Sequence, residues 1–96
     1  MLLLETLRQK RAELLRIAER HGAYNLRVFG SAVRGDEGPE SDIDLLIDAR
    51  PVTSSWFPAG LVLDLEGLLG RHVDVVTEQA LRPELRELVL REAVPL

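Results

Sequence analysis

A chain of 96 residues has room for one small domain and not for two. Hydrophobic residues at 46% and charged residues at 29% match ordinary globular usage, which excludes a disordered or fibrous chain. Twelve Lys and Arg against 16 Asp and Glu leave a net charge of -4, which argues against sequence-independent binding to nucleic acid, and a cysteine count of 0 excludes a disulfide framework, a zinc–thiolate cluster and a thiol nucleophile.

Leu3, Leu7, Leu14 and Ala18, with Leu4, Leu15 and Ile17 beside them, recur at helical spacing, and Arg8, Lys10, Glu13, Arg16 and Glu19 fill the opposite side. The spacing predicts one amphipathic helix over about residues 3–21, closed by His21 and Gly22. Charges at Glu5, Arg8, Lys10 and Arg11 come too early for a signal-peptide core, and no apolar run approaches the roughly 18 residues of a membrane span. A soluble, cytoplasmic protein without a membrane partner is expected.

Residues 25–29 read as a short strand that runs into Gly30-Ser31, small residues that let other groups approach the backbone. Residues 35–41 have the composition of a surface loop, with two Gly, one Pro and three acids. A second strand over 42–48 is apolar in its second half, as a central strand should be. A linker over 50–58 leads, through a Ser or Thr N-cap, to a helix marked by Leu61, Leu65, Leu68 and Leu69 and closed by Gly70. A valine-rich third strand over 72–76 and a last helix over about 83–92, begun by Pro83, complete the order α-β-β-α-β-α. The expected fold class is α/β (α+β), a small mixed sheet flanked by helices in a single domain spanning 1–96.

Three acids carry the chemistry. Strand residues two apart share a face, so Asp42 and Asp44 project together while Ile43 and Leu45 turn toward the core. Their mutual repulsion is relieved by a cation between them, and paired hard oxygen donors suit Mg²⁺ or Mn²⁺. Asp74 sits among Val73, Val75 and Val76, where a buried charge needs a partner that the same metal can supply. A DxD on a strand is weak evidence alone, since such acids often cap turns or face solvent. Gly30-Ser31 upstream and a third acid from a separate strand make the combination specific.

Gly30-Ser31 followed after ten residues by Asp42-Ile43-Asp44 resembles the GS-x10-DxD signature of the DNA polymerase β superfamily of nucleotidyltransferases. Residues 29–35, 41–47, 68–77 and 90–96 resemble the minimal nucleotidyltransferase domain proteins, and the likeness covers nearly the whole chain apart from the linker. The resemblance implies that Gly30 and Ser31 bind the triphosphate of ATP and that Asp42, Asp44 and Asp74 are the catalytic metal ligands for two Mg²⁺ ions. Asp74 also helps to take the acceptor's proton in this reading. Arg34 either meets the phosphates or is a solvated loop charge. Small members of this family are commonly antitoxins paired with a HEPN-domain RNase toxin, which implies AMP transfer to a tyrosine of such a partner. Two alternatives stand beside it: a non-catalytic antitoxin acting by binding alone, and a small-molecule nucleotidyltransferase. Nucleotide preference and homo- or hetero-oligomeric state stay open.

The remaining candidates receive structural readings. His21 suits a helix C-terminus, His72 lacks a companion ligand at metal spacing and is expected on the surface, and Asp36, Glu37 and Glu40 form a solvated acidic loop. Asp48 and Asp64 carry no assigned role.

Overall fold

The N-terminal apolar stripe folds as two helices, α1 (Leu3–Gln9) and α2 (Arg11–His21), in a computed structural model that describes residues 2–36, 38–39 and 41–96. The single helix expected over 3–21 is thus corrected by a break at Lys10, whose φ of -98° and ψ of 14° leave the helical range. Its N–H still donates to the Thr6 and Leu7 carbonyls at 3.2 Å each, so the bend preserves backbone bonding and carries no glycine or proline to announce it. Leu3 and Leu7 of one segment and Leu14 and Ala18 of the other enter the same buried core.

The elements that follow are β1 (Ala23–Phe29), the short α3 (Ser31–Arg34), β2 (Ile43–Ala49), α4 (Ala59–Leu69), β3 (Val73–Val76), a 3-10 turn (Glu78–Ala80), α5 (Pro83–Glu92) and β4 (Val94–Pro95). The sheet order is β3-β2-β1-β4. β1 is antiparallel to β2 and to β4, and β2 is parallel to β3, so the sheet is mixed and β2 is interior. Ile43, Leu45 and Ile47 of β2 point into the core with Val28, Leu61, Leu65 and Val73, each buried Leu or Ile contributing roughly 2 kcal/mol by leaving water. Leu46, on the face that Asp44 shares, is buried outside this cluster, as is Val89 of α5.

α4 begins at Pro58 without a side-chain cap, in place of the expected Ser or Thr. Ser54 of the linker shares a 2.6 Å hydrogen bond with His21 Nδ1, and a backbone turn closes the helix start through Ala59 N–H to the Trp56 carbonyl at 2.8 Å. α5 has the bounds expected, with proline in its first turn. Of the acidic loop, Glu37 and Glu40 lie outside the described residues, and Asp36 is exposed.

Candidate active site

The parallel register sets Asp44 of β2 directly beside Asp74 of β3, and Asp42 precedes Asp44 by two residues. Pleating therefore turns all three carboxylates to one face at one corner of the sheet. On the other side of β2, Phe29 pairs with Asp44, so the chain leaves β1 and enters Gly30-Ser31 next to that same carboxylate. Gly30 has φ 79°, and a Cβ there would collide with Asp44 Oδ2, a position that only glycine fills without strain. All five residues of the GS-x10-DxD-plus-acid pattern thus meet.

Asp44 is half-buried, whereas Asp42 and Asp74 are exposed. The expectation that Asp74 is a charge at risk of burial is corrected, because β3 is an edge strand and the side chain faces solvent. Burial, followed by the charges of Asp74 and Asp42, pushes the Asp44 carboxyl up to about 6, with Glu92 adding to the effect and Arg34 opposing it. Among the described residues no three acid or histidine side chains are already closed around one point at metal-ligand spacing. The register nevertheless gathers a set of acceptor-only oxygens, and the electrostatic strain at Asp44 is of the kind a divalent cation relieves, so the donor chemistry fits a hard metal ion.

Two residues that sequence reasoning passed over shape the turn. Glu92, the last residue of α5, accepts the Gly30 N–H at 2.9 Å through Oε2 and an Arg34 Nη1 hydrogen at 2.7 Å through Oε1. The N–H of Gly30, a residue expected to bind the triphosphate, is therefore already engaged, and among the described residues the turn's unengaged donors are the hydroxyl and N–H of Ser31. Arg34 also donates to Asp36 at 3.3 Å, and its pKa is raised by the hydrogen bonds to Glu92 and then to Asp36. The second overlooked residue, Arg71, donates to the Gly38 carbonyl, while Gly38 N–H donates to Ser41 Oγ at 2.6 Å, fastening the loop that leads into Asp42. Neither Glu92 nor Arg71 carries a local spacing signal; their partners lie 62 and 33 residues away.

His21 stands apart from this corner, whereas His72 adjoins it through its backbone, its carbonyl accepting the Ile43 N–H at 2.9 Å. His21 bonds Asp64 through Nε2 at 2.7 Å as well as Ser54, which ties the end of α2 to α4 and gives Asp64 a structural role. His72 is 87% exposed beside Glu66. Asp48 accepts from Arg27 and Asn25, both at 2.9 Å, across the β1–β2 pair.

Residues 7–96 match the model of the nucleotidyltransferase domain family. The chain is 40% identical over 78 residues to the protein adenylyltransferase MntA of Thermococcus cleftensis, covering 81% of this chain and 79% of that one. A solved structure assigned to the minimal nucleotidyltransferases shares 52% identity at a TM-score of 0.83, covering 97% of this chain and 95% of that one. A toxin–antitoxin complex with AMP-PNP shares the fold at 24% identity and a TM-score of 0.71, over 91% of this chain and 69% of that one. With its corner of Asp42, Asp44 and Asp74 beside a Gly-Ser turn, and with the family model matched over residues 7–96, this chain belongs to the nucleotidyltransferase domain family.

Proposed function

We infer that this chain transfers AMP from ATP to a hydroxyl of a partner protein and serves as the antitoxin of a toxin–antitoxin pair. The observation that carries the reading is the β2–β3 register, which sets Asp44 beside Asp74 and within two residues of Asp42, next to Gly30-Ser31. The kinship with an adenylyltransferase MntA supports AMP as the transferred group and a protein as the acceptor. The acceptor we favour is a tyrosine of a HEPN-domain toxin. No helix of the described residues is long and apolar enough to cross a membrane, and a cysteine-free chain suits the cytoplasm where such a pair would act.

Asp42, Asp44 and Asp74 would hold divalent ions, Mg²⁺ by preference. Bound there, such ions supply charge neutralisation at the triphosphate and make the acceptor hydroxyl more acidic. The chain's own residues do the rest. Ser31 donates its hydroxyl and N–H to phosphate oxygens, and Arg34 adds a fixed positive charge beside them. The acceptor oxygen forms its bond to the α-phosphorus as the bond to pyrophosphate breaks in line. Asp74, exposed at the sheet edge, takes the acceptor's proton.

The test is transfer of α-labelled ATP in the presence of Mg²⁺ and the neighbouring gene's product. Wild type is expected to add the mass of AMP to the partner, and Asp42→Asn or Asp44→Asn to abolish labelling while circular dichroism stays native. Labelling undiminished in both variants would overturn the reading. A tight complex with no added mass would indicate neutralisation by binding alone, and turnover without any protein acceptor would indicate a small-molecule substrate.

A further inference from the structure

The β1–β4 register pairs Val28 with Val94 and Arg27 with Pro95, so residue numbers across the pair add to a constant. Continuing that register two residues past the ladder sets Glu92 opposite Gly30, and there the strand bond is replaced by a side-chain one: the carboxylate takes the Gly30 N–H at 2.9 Å. Its second oxygen takes Arg34 Nη1 at 2.7 Å. One carboxylate, 20% exposed, thereby joins the backbone of the Gly-Ser turn to the cation at the end of α3. Among the described residues few contacts constrain Arg34 otherwise, since its side chain is 53% exposed and its bond to Asp36 is longer, at 3.3 Å. Glu92 is itself held from both sides. Ala93 N–H closes α5 on the Val89 carbonyl at 2.8 Å, and the next residue, Val94, enters the sheet.

We propose that Glu92 is a positioning residue for the nucleotide: its carboxylate locks the Gly30 peptide and the Arg34 guanidinium to each other, so that the turn and the cation meet a triphosphate as one preorganised unit. The proposal rests on the nucleotidyltransferase reading above and deepens it. An arginine carries five N–H donors in a rigid fork. Engagement of Nε by Asp36 and of Nη1 by Glu92 leaves the Nη2 group, like the Ser31 hydroxyl and N–H, without a partner among the described residues. The clamp therefore fixes the guanidinium without using up its capacity for phosphate. A long, exposed arginine otherwise loses rotamer freedom when it binds, and immobilising it beforehand removes that loss.

The experiment measures binding of ATP with Mg²⁺ by calorimetry, and kcat and KM for transfer, in wild type, Glu92→Gln, Glu92→Ala, Arg34→Ala and the Glu92→Ala/Arg34→Ala double variant, with thermal melting of each. Glu92→Ala is expected to raise KM and Kd for ATP about five- to tenfold while kcat stays within about twofold. Glu92→Gln, whose single carbonyl oxygen can serve only one of the two donors well, falls between. In the Arg34→Ala background, loss of Glu92 adds at most about a further twofold, because both act through one element. ATP binding by Glu92→Ala equal to or tighter than that of wild type overturns the proposal and makes the carboxylate a bystander or a competitor of phosphate. Fully additive losses in the double variant, or a fall in kcat at constant KM, overturn it too. Should Glu92→Ala melt too low to assay, Glu92→Gln decides on the same criteria. A wild-type protein that binds no ATP overturns the parent reading and this one together, whereas effects absent only from the Glu92 variants overturn this one alone.

Discussion

Asp44 is the residue on which stability and chemistry pull in opposite directions. Its carboxyl, pushed to about 6 by burial and by Asp74 and Asp42, holds a proton in the folded chain at pH values where the unfolded chain has already lost it. Between an unfolded value of about 4 and the folded value, the folded state binds more protons, so stability falls as pH rises through that window and levels off above it. The full shift corresponds to about 3 kcal/mol, and solvent screening at this half-buried site reduces it to on the order of 1 kcal/mol. Urea unfolding of Asp44→Asn is therefore expected to show a gain of that size at pH 7.5 and almost none near pH 4, alongside loss of transfer. A second expectation concerns Gly30. An alanine there must adopt φ 79° and push the Asp44 carboxylate aside, so Gly30→Ala should lose on the order of 1–2 kcal/mol in urea unfolding and transfer no AMP at all. The two aspartates of the pair were legible from their spacing, since alternation along a strand settles their common face. The place of Asp74 beside them came from the family resemblance and not from spacing, because registry between strands separated by a whole helix has no local signal. Glu92 was invisible for the same reason: a carboxylate near the end of an amphipathic helix looks like any solvated charge.

At the scale of elements, α5 and the three strands could be read to within two residues, because proline at a helix start and valine-rich runs act locally. The break at Lys10 could not. Leu7 and Leu14 on either side of it enter one core at a spacing that an unbroken helix would also give, and no glycine or proline marks the bend. The start of α4 was misjudged because a serine that suits a cap has its hydroxyl engaged by His21. That histidine bridges three parts of the chain, the end of α2, the linker and α4, and its side chain is 14% exposed. His21→Ala is expected to lower stability by about 1–2 kcal/mol, read as a lower melting temperature, while the KM for ATP and kcat stay within about twofold of wild type. A fall in kcat without a change in melting temperature would place His21 in the chemistry instead.

For the molecule as a whole, the net charge of -4 and the acid-rich corner make a surface that repels polyanions. Fluorescence anisotropy with a labelled duplex is expected to show no binding even at low ionic strength, where attraction to phosphates would be strongest. On the proposed function ATP is a smaller case of the same problem, one that Ser31, Arg34 and a divalent cation would meet locally. Fold class was legible from the order of helices and strands, but the sheet order was not, because β4 is two residues long and offers no periodicity to detect. That short strand has a consequence for the Gly-Ser turn. Hydrogen bonding of Leu96 N–H to the Leu26 carbonyl and the pairing of Val94 with Val28 bring residues 94–96 across the first strand, and Glu92 arrives with them. Because Glu92 holds both the Gly30 N–H and Arg34, two residues of edge pairing anchor the brace on the opposite side of β1 from Asp44. Fraying at that margin would loosen the peptide and the guanidinium together while leaving the three aspartates where β2 and β3 put them.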